Sequence, residues 1–105
     1  MHNKHKGALA ELKATCWLVE QGYEVFSAVS QHGEVDLIAL DPESKETHLF
    51  DVTTGKYYLR LDGTKNLSFA FDKLKKLPRI KILVFIQETG EVLEIKEDYR
   101  ASENL

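Results

Sequence analysis

The period of the hydrophobic residues changes at Gly22, and that change sets the class of fold open to this chain. Before it, Leu9, Leu12, Cys16 and Val19 recur at spacings of three and four, one stripe of an amphipathic helix. The spacing predicts a helix over residues 5–21 that turns this stripe to the core, with Gly22 as a left-handed cap. After it, residues 23–29 are β-branched and aromatic and read as a strand. Residues 30–33 are turn-like. Residues 34–40 are almost continuously apolar, as for a central strand covered on both faces. Residues 41–46 form a loop around Pro42, and residues 48–54 form a third strand ended by Gly55.

Residues 57–61 read as a short further strand or an ordered arm, followed by a turn at Asp62-Gly63. Leu67, Phe71, Leu74 and Leu77 return to helical spacing and predict a second helix, stopped by Pro78. Residues 80–86 are a strand, residues 88–91 a hairpin turn, and residues 92–95 the last strand, before a frayed end at 101–105. The expected order is α-β-β-β-α-β-β: an α/β fold with a single mixed β-sheet and flanking helices. The 105 residues suffice for one core and are too few for two, so residues 1–105 are expected to form one domain.

Several function classes drop out early. No apolar run approaches the ~18 residues that span a bilayer, and polar residues interrupt the basic start as a signal peptide would not. The sole cysteine, Cys16, can form neither an internal disulfide nor a cysteine-based zinc cluster, and its place on the apolar stripe predicts buried packing. A cytoplasmic protein without a membrane role is expected. His32 and His48 lack ligand-like spacing, and Thr54-Gly55-Lys56 lacks the glycines of a phosphate loop.

The net charge of −3 hides a division. Residues 1–55 hold four Lys against nine acidic residues, and residues 82–105 hold two basic against six acidic. Between them, residues 56–81 hold eight Lys or Arg against two Asp. This basic third is either a solvated helix face or a footprint for phosphates. On charge alone the solvated face is the simpler account.

Two aspartates fall inside apolar strands: Asp36 between Val35 and Leu37, and Asp51 between Phe50 and Val52. A carboxylate there is costly to desolvate unless something pairs with it. Neighbouring strands can bring both to one edge, where a divalent cation relieves their repulsion. Mg²⁺ or Mn²⁺ takes oxygen ligands and keeps several waters, so two or three carboxylates suffice. Glu11 is the expected third ligand, about 120° round the helix from the centre of the apolar stripe and in line with Leu18.

The text around these acids resembles the PD-(D/E)XK nuclease superfamily, in its Holliday-junction-resolvase and intron-homing-endonuclease branches. The matching segments are Lys6-Gly7-Ala8-Leu9-Ala10-Glu11, Gly22-Tyr23-Glu24-Val25, Gly33-Glu34-Val35-Asp36-Leu37-Ile38-Ala39 and Phe50-Asp51-Val52-Thr53-Thr54. The resemblance implies a restriction-endonuclease-like core. It implies that Glu11, Asp36 and Asp51 bind the metal and that Val52 lends its carbonyl. In one place the chain departs from the pattern: Thr53 stands where the family has lysine. That lysine orients the attacking water and stabilises charge on the phosphate. Lys56 is the nearest replacement, and Lys6, Lys65 and Lys73 are more distant ones.

The expected function is therefore a metal-dependent endodeoxyribonuclease, resolvase-like or homing-type, acting on double-stranded or branched DNA. Glu11, Asp36, Asp51, Thr53 and Lys56 would act in catalysis. Lys6, Lys56, Arg60, Lys65, Lys73 and Lys76 would meet DNA. So small a chain covers little duplex, and a homodimer or homotetramer is expected. Two alternatives stand beside it: a non-catalytic nuclease-fold module that binds DNA or protein, and an unrelated α/β domain whose aspartates are tied by hydrogen bonds.

Overall fold

The computed structural model describes residues 3–30, 35–69 and 79–95. Among the described residues, one helix, α1 (Asn3–Glu20), precedes six strands: β1 (Glu24–Ser27), β2 (Leu37–Leu40), β3 (Thr47–Leu59), β4 (Lys65–Phe69), β5 (Ile80–Ile86) and β6 (Glu91–Ile95). All six join one mixed sheet of order β1-β2-β3-β5-β6, with β4 paired to β3. The β3–β5 pair is parallel and the other pairs are antiparallel. The expected α/β class with a single mixed sheet is what the chain forms.

Helix α1 ends as the sequence reading anticipates. Gly22 takes φ +96°, and the Tyr23 and Gly22 amides return to the Leu18 and Val19 carbonyls at 3.2 and 2.9 Å. Its buried face is a different one from that expected. Ala10, Ala14 and Leu18 are buried, while Leu12 is 64% and Val19 54% exposed and Cys16 is exposed too. The helix carries two apolar lines. The one with small residues wins because alanines bring the helix axis close to the sheet, where Leu18 and the half-buried Trp17 then pack. The core on this side joins Ala14 and Leu18 to Leu37, Ala39, Phe50 and Leu83.

The strand covered on both faces is β5, not β2. Ile82, Val84 and Ile86 pack with Ile95 in a second cluster on the face away from α1, whereas Ile38 of β2 is left 37% exposed. Strand β3 runs straight through Gly55, which was expected to end it. A Cβ at Gly55 would lie 2.5 Å from Val84 Cγ1 and 3.0 Å from the Ser68 carbonyl, so glycine serves close approach here. Residues 57–59 therefore extend β3 and pair with β4. Leu67, expected to open the second helix, lies in β4. The rest of that expected helix, and the frayed end at 101–105, fall outside the described residues.

Candidate functional site

The choice of helix face decides where Glu11 points. At ~100° per residue, Glu11 stands about 60° from the centre of the Ala10–Ala14–Leu18 line, nearer the sheet than the other apolar stripe would place it. It is partly buried. Its carboxyl pKa is held above the usual value, first by desolvation and then by the negative charge of Asp36.

Asp36 is the residue before β2 and is also partly buried. Its amide donates to the Phe50 carbonyl at 2.9 Å. The ladder pairs Leu37 with Phe50, so this bond is one residue out of register and regular pairing stops there. The side chain takes over from the backbone: Asp36 Oδ2 accepts the Val52 amide at 2.7 Å. Amide and carbonyl of one strand residue leave by the same edge, so the Val52 carbonyl also projects toward the Asp36 side. Asp36 and Val52 thus meet where β2 begins, and Glu11 is near enough for the Asp36 charge to act on its carboxyl.

Asp51 and Thr53 alternate with Phe50 and Val52, which pack on the α1 side. They accordingly emerge on the opposite face, in register with Ile82 and Val84, and both are partly buried. Among the described residues, no three His, Cys, Asp or Glu side chains lie close enough together to hold a metal ion. The acids form a Glu11–Asp36 pair with Asp51 on the adjoining strand. The pair's donor chemistry suits a hard divalent cation, which can bind through one or two carboxylates while keeping its waters.

Lys56 is exposed on β3, five residues past Asp51 and with the opposite strand parity, roughly 16 Å along at ~3.3 Å per residue. It lies on the same strand as Thr53 and with the opposite parity. It lines an open cleft of about 710 Å³ with Thr54, Gly55, Ser68, Phe69, Gln87 and Glu88. Arg60 and Lys65 are exposed at the end of the β3–β4 hairpin. The Lys6 side chain, Lys73 and Lys76 lie outside the described part. His48 is engaged by Lys81 Nζ at 3.1 Å and by an edge-on contact with Tyr23.

No protein-family model and no curated protein matches this sequence. The fold itself has a counterpart. It is similar to that of a bacterial homing endonuclease. The structure of I-Ssp6803I aligns with a TM-score of 0.71 at 15% identity, covering 96% of this chain and 70% of that one. Sequence reading singled out Arg60 for DNA but missed that the hairpin groups it with Tyr58 and Asn66. The polar parity of Lys56, Tyr58 and Arg60 was visible, but assigning Leu67 to a helix hid their partners across the turn.

Proposed function

We propose that this chain is a divalent-metal-dependent endodeoxyribonuclease of the PD-(D/E)XK kind. The observation that carries the reading is the Glu11–Asp36 pair at the start of β2, in a fold similar to a homing endonuclease. Two carboxylates close enough for one to raise the other's pKa are a standing electrostatic cost, which a cation offsets. Glu11 and Asp36 would hold Mg²⁺ or Mn²⁺, with Asp51 and the Val52 carbonyl as further oxygens. When bound, the metal lowers the pKa of a coordinated water and neutralises charge on the phosphate.

The protein's own groups do the rest. The Val52 amide fixes one Asp36 oxygen and so orients the other. Thr53 has a hydroxyl to position water and no charge to offer the phosphate. Lys56, Arg60 and Lys65 would meet the DNA. The exposed Leu12, Cys16 and Val19 line on α1 suits a contact between two copies, which would present two sites to two strands. The protein would act in the cytoplasm on double-stranded or branched DNA.

A second reading has its own support. Thr53 in place of lysine, and the lack among the described residues of three acids close enough to hold a metal ion, favour a nuclease-fold module that binds DNA or a protein without cutting. The deciding experiment incubates linear, supercoiled and four-way-junction DNA with the protein and Mg²⁺ or Mn²⁺, comparing wild type with Asp36→Asn. Cutting by wild type alone is expected. Binding without cutting on every substrate would establish a DNA-binding module instead, and loss of binding as well would refute the nuclease and leave only a protein-binding module.

A further inference from the structure

Beyond Gly55 the described part of β3 leaves the body of the sheet. Its pairing with β2 stops at Phe50 and that with β5 at Gly55, and from there, among the described residues, only β4 pairs with it. The result is a two-stranded ribbon closed by a tight turn. The Arg60 amide meets the Thr64 carbonyl at 2.8 Å, Gly63 adopts φ +88°, and Asp62 accepts the Thr64 amide and hydroxyl at 3.0 and 2.6 Å.

The ribbon has two unlike faces. Tyr57, Leu67 and Phe69 pack on the Ile82–Val84–Ile86 cluster and anchor it. The other face carries Lys56 opposite Ser68 and Tyr58 opposite Asn66, with Arg60 next in line. This face is polar and positive. The Asn66 amide lies 3.0 Å from the Tyr58 hydroxyl, and with its oxygen turned inward it accepts the Arg60 guanidinium through Nη2 and through Nε at 2.7 Å. An exposed arginine pays side-chain entropy whenever it must adopt one geometry. Here the Asn66 amide already holds it, and the Tyr58 hydroxyl in turn meets that amide.

We propose that this polar face reads base edges in the major groove of duplex DNA, with Arg60 as the contacting group and Asn66 and Tyr58 as positioning residues. The proposal deepens the nuclease reading and rests on it for the choice of DNA. A two-stranded ribbon fits a B-form major groove about 12 Å wide, and a guanidinium held as a fork matches O6 and N7 of guanine. The narrow major groove of double-stranded RNA excludes such a ribbon. The face lies farther along the strand that carries Val52. From Val52 to Arg60 the strand advances eight residues, about 26 Å at ~3.3 Å each, which equals roughly eight base pairs along the duplex. Lys56 falls between them, where a phosphate contact adds affinity without sequence.

The test separates reading from cutting by working without metal. The full chain in EDTA is used to select duplexes from a pool with a randomised window, and the bound DNA is sequenced. Wild type is expected to enrich a preferred sequence that contains guanine. Arg60→Lys keeps the charge and loses the fork, so preference at that guanine should fall tenfold or more while binding to unrelated duplex is kept. Asn66→Ala and Tyr58→Phe should weaken the same position. Lys56→Gln should lower affinity for all sequences alike and reduce the salt slope by about one. Unchanged thermal unfolding of Arg60→Lys excludes misfolding as the cause.

An undiminished preference in Arg60→Lys and Asn66→Ala would overturn the proposal. So would a wild type that cuts DNA and selects no sequence, with the nuclease reading intact. An Arg60-dependent preference in a protein that never cuts would uphold the ribbon and overturn catalysis. Failure to bind any duplex would end both.

Discussion

The Asp36 carboxylate accepts the Val52 amide at 2.7 Å across sixteen residues of sequence, so a side chain continues a ladder that the backbone has left. This bond supports the start of β2 and also fixes the direction of a carboxylate in the candidate metal site. Asp36→Asn keeps an oxygen acceptor and should leave stability within about 1 kcal/mol of wild type. Asp36→Ala strands the Val52 amide and should cost about 1–3 kcal/mol, measured by urea unfolding. Both should abolish cleavage. Equal stability losses in the two variants would contradict the assigned role of the bond.

Glu11 gives a pH signature. Its folded pKa lies above the unfolded value, so the native state binds its proton more tightly. That contribution to stability is complete below the unfolded pKa and is lost as pH rises through the folded one. At neutral pH, Glu11→Gln should therefore stabilise the metal-free protein, by less than about 1 kcal/mol because solvent screens a partly exposed group. The gain should vanish in acid. Thermal melts of both proteins from pH 4 to pH 8, a window set by ordinary carboxylate values, check this.

Lysine at position 53 is the most direct probe of the chemistry. Thr53→Lys puts a charge where the resemblance expects one, and cleavage should rise by about 10²- to 10³-fold. A Thr53→Lys protein no faster than wild type, with its fold intact, would show that residue 53 does not face the scissile phosphate.

Gly55 is held to glycine by its neighbours. Gly55→Ala forces a methyl to within 2.5 Å of Val84 Cγ1 and 3.0 Å of a backbone carbonyl, which the structure can relieve only by shifting β4 or β5. A loss of about 1–3 kcal/mol is expected, read as a lower Tm.

The two faces of α1 should respond oppositely. Leu18 is fully buried, so Leu18→Ala should cost about 2–5 kcal/mol. Leu12→Lys with Val19→Lys touches exposed positions and should leave Tm nearly unchanged. In sedimentation this double variant should run as a monomer if the exposed line joins two copies. Persistent oligomers would place that contact elsewhere.

Local pattern alone determined much of the framework. The Gly22 cap, the β5 and β6 strands with the turn between them, and the single mixed sheet follow from period, β-branching and glycine placement, all properties of neighbouring residues. Asp36 and Asp51 stood out for a similar reason, as charges in apolar text. Only the tertiary structure decided which of two apolar lines on α1 is buried, since that depends on how closely alanines let the helix approach the sheet. It alone revealed Gly55 as a point of close approach inside a 13-residue strand, because Val84 and Ser68 are remote in sequence. The same holds for the site. Sequence supplied Glu11, Asp36 and Asp51, but strand parity sets the face on which Asp51 emerges, and the helix facing decides that Glu11 turns toward the charge of Asp36. Tyr58, Arg60 and Asn66 meet only across a hairpin whose register no local pattern records.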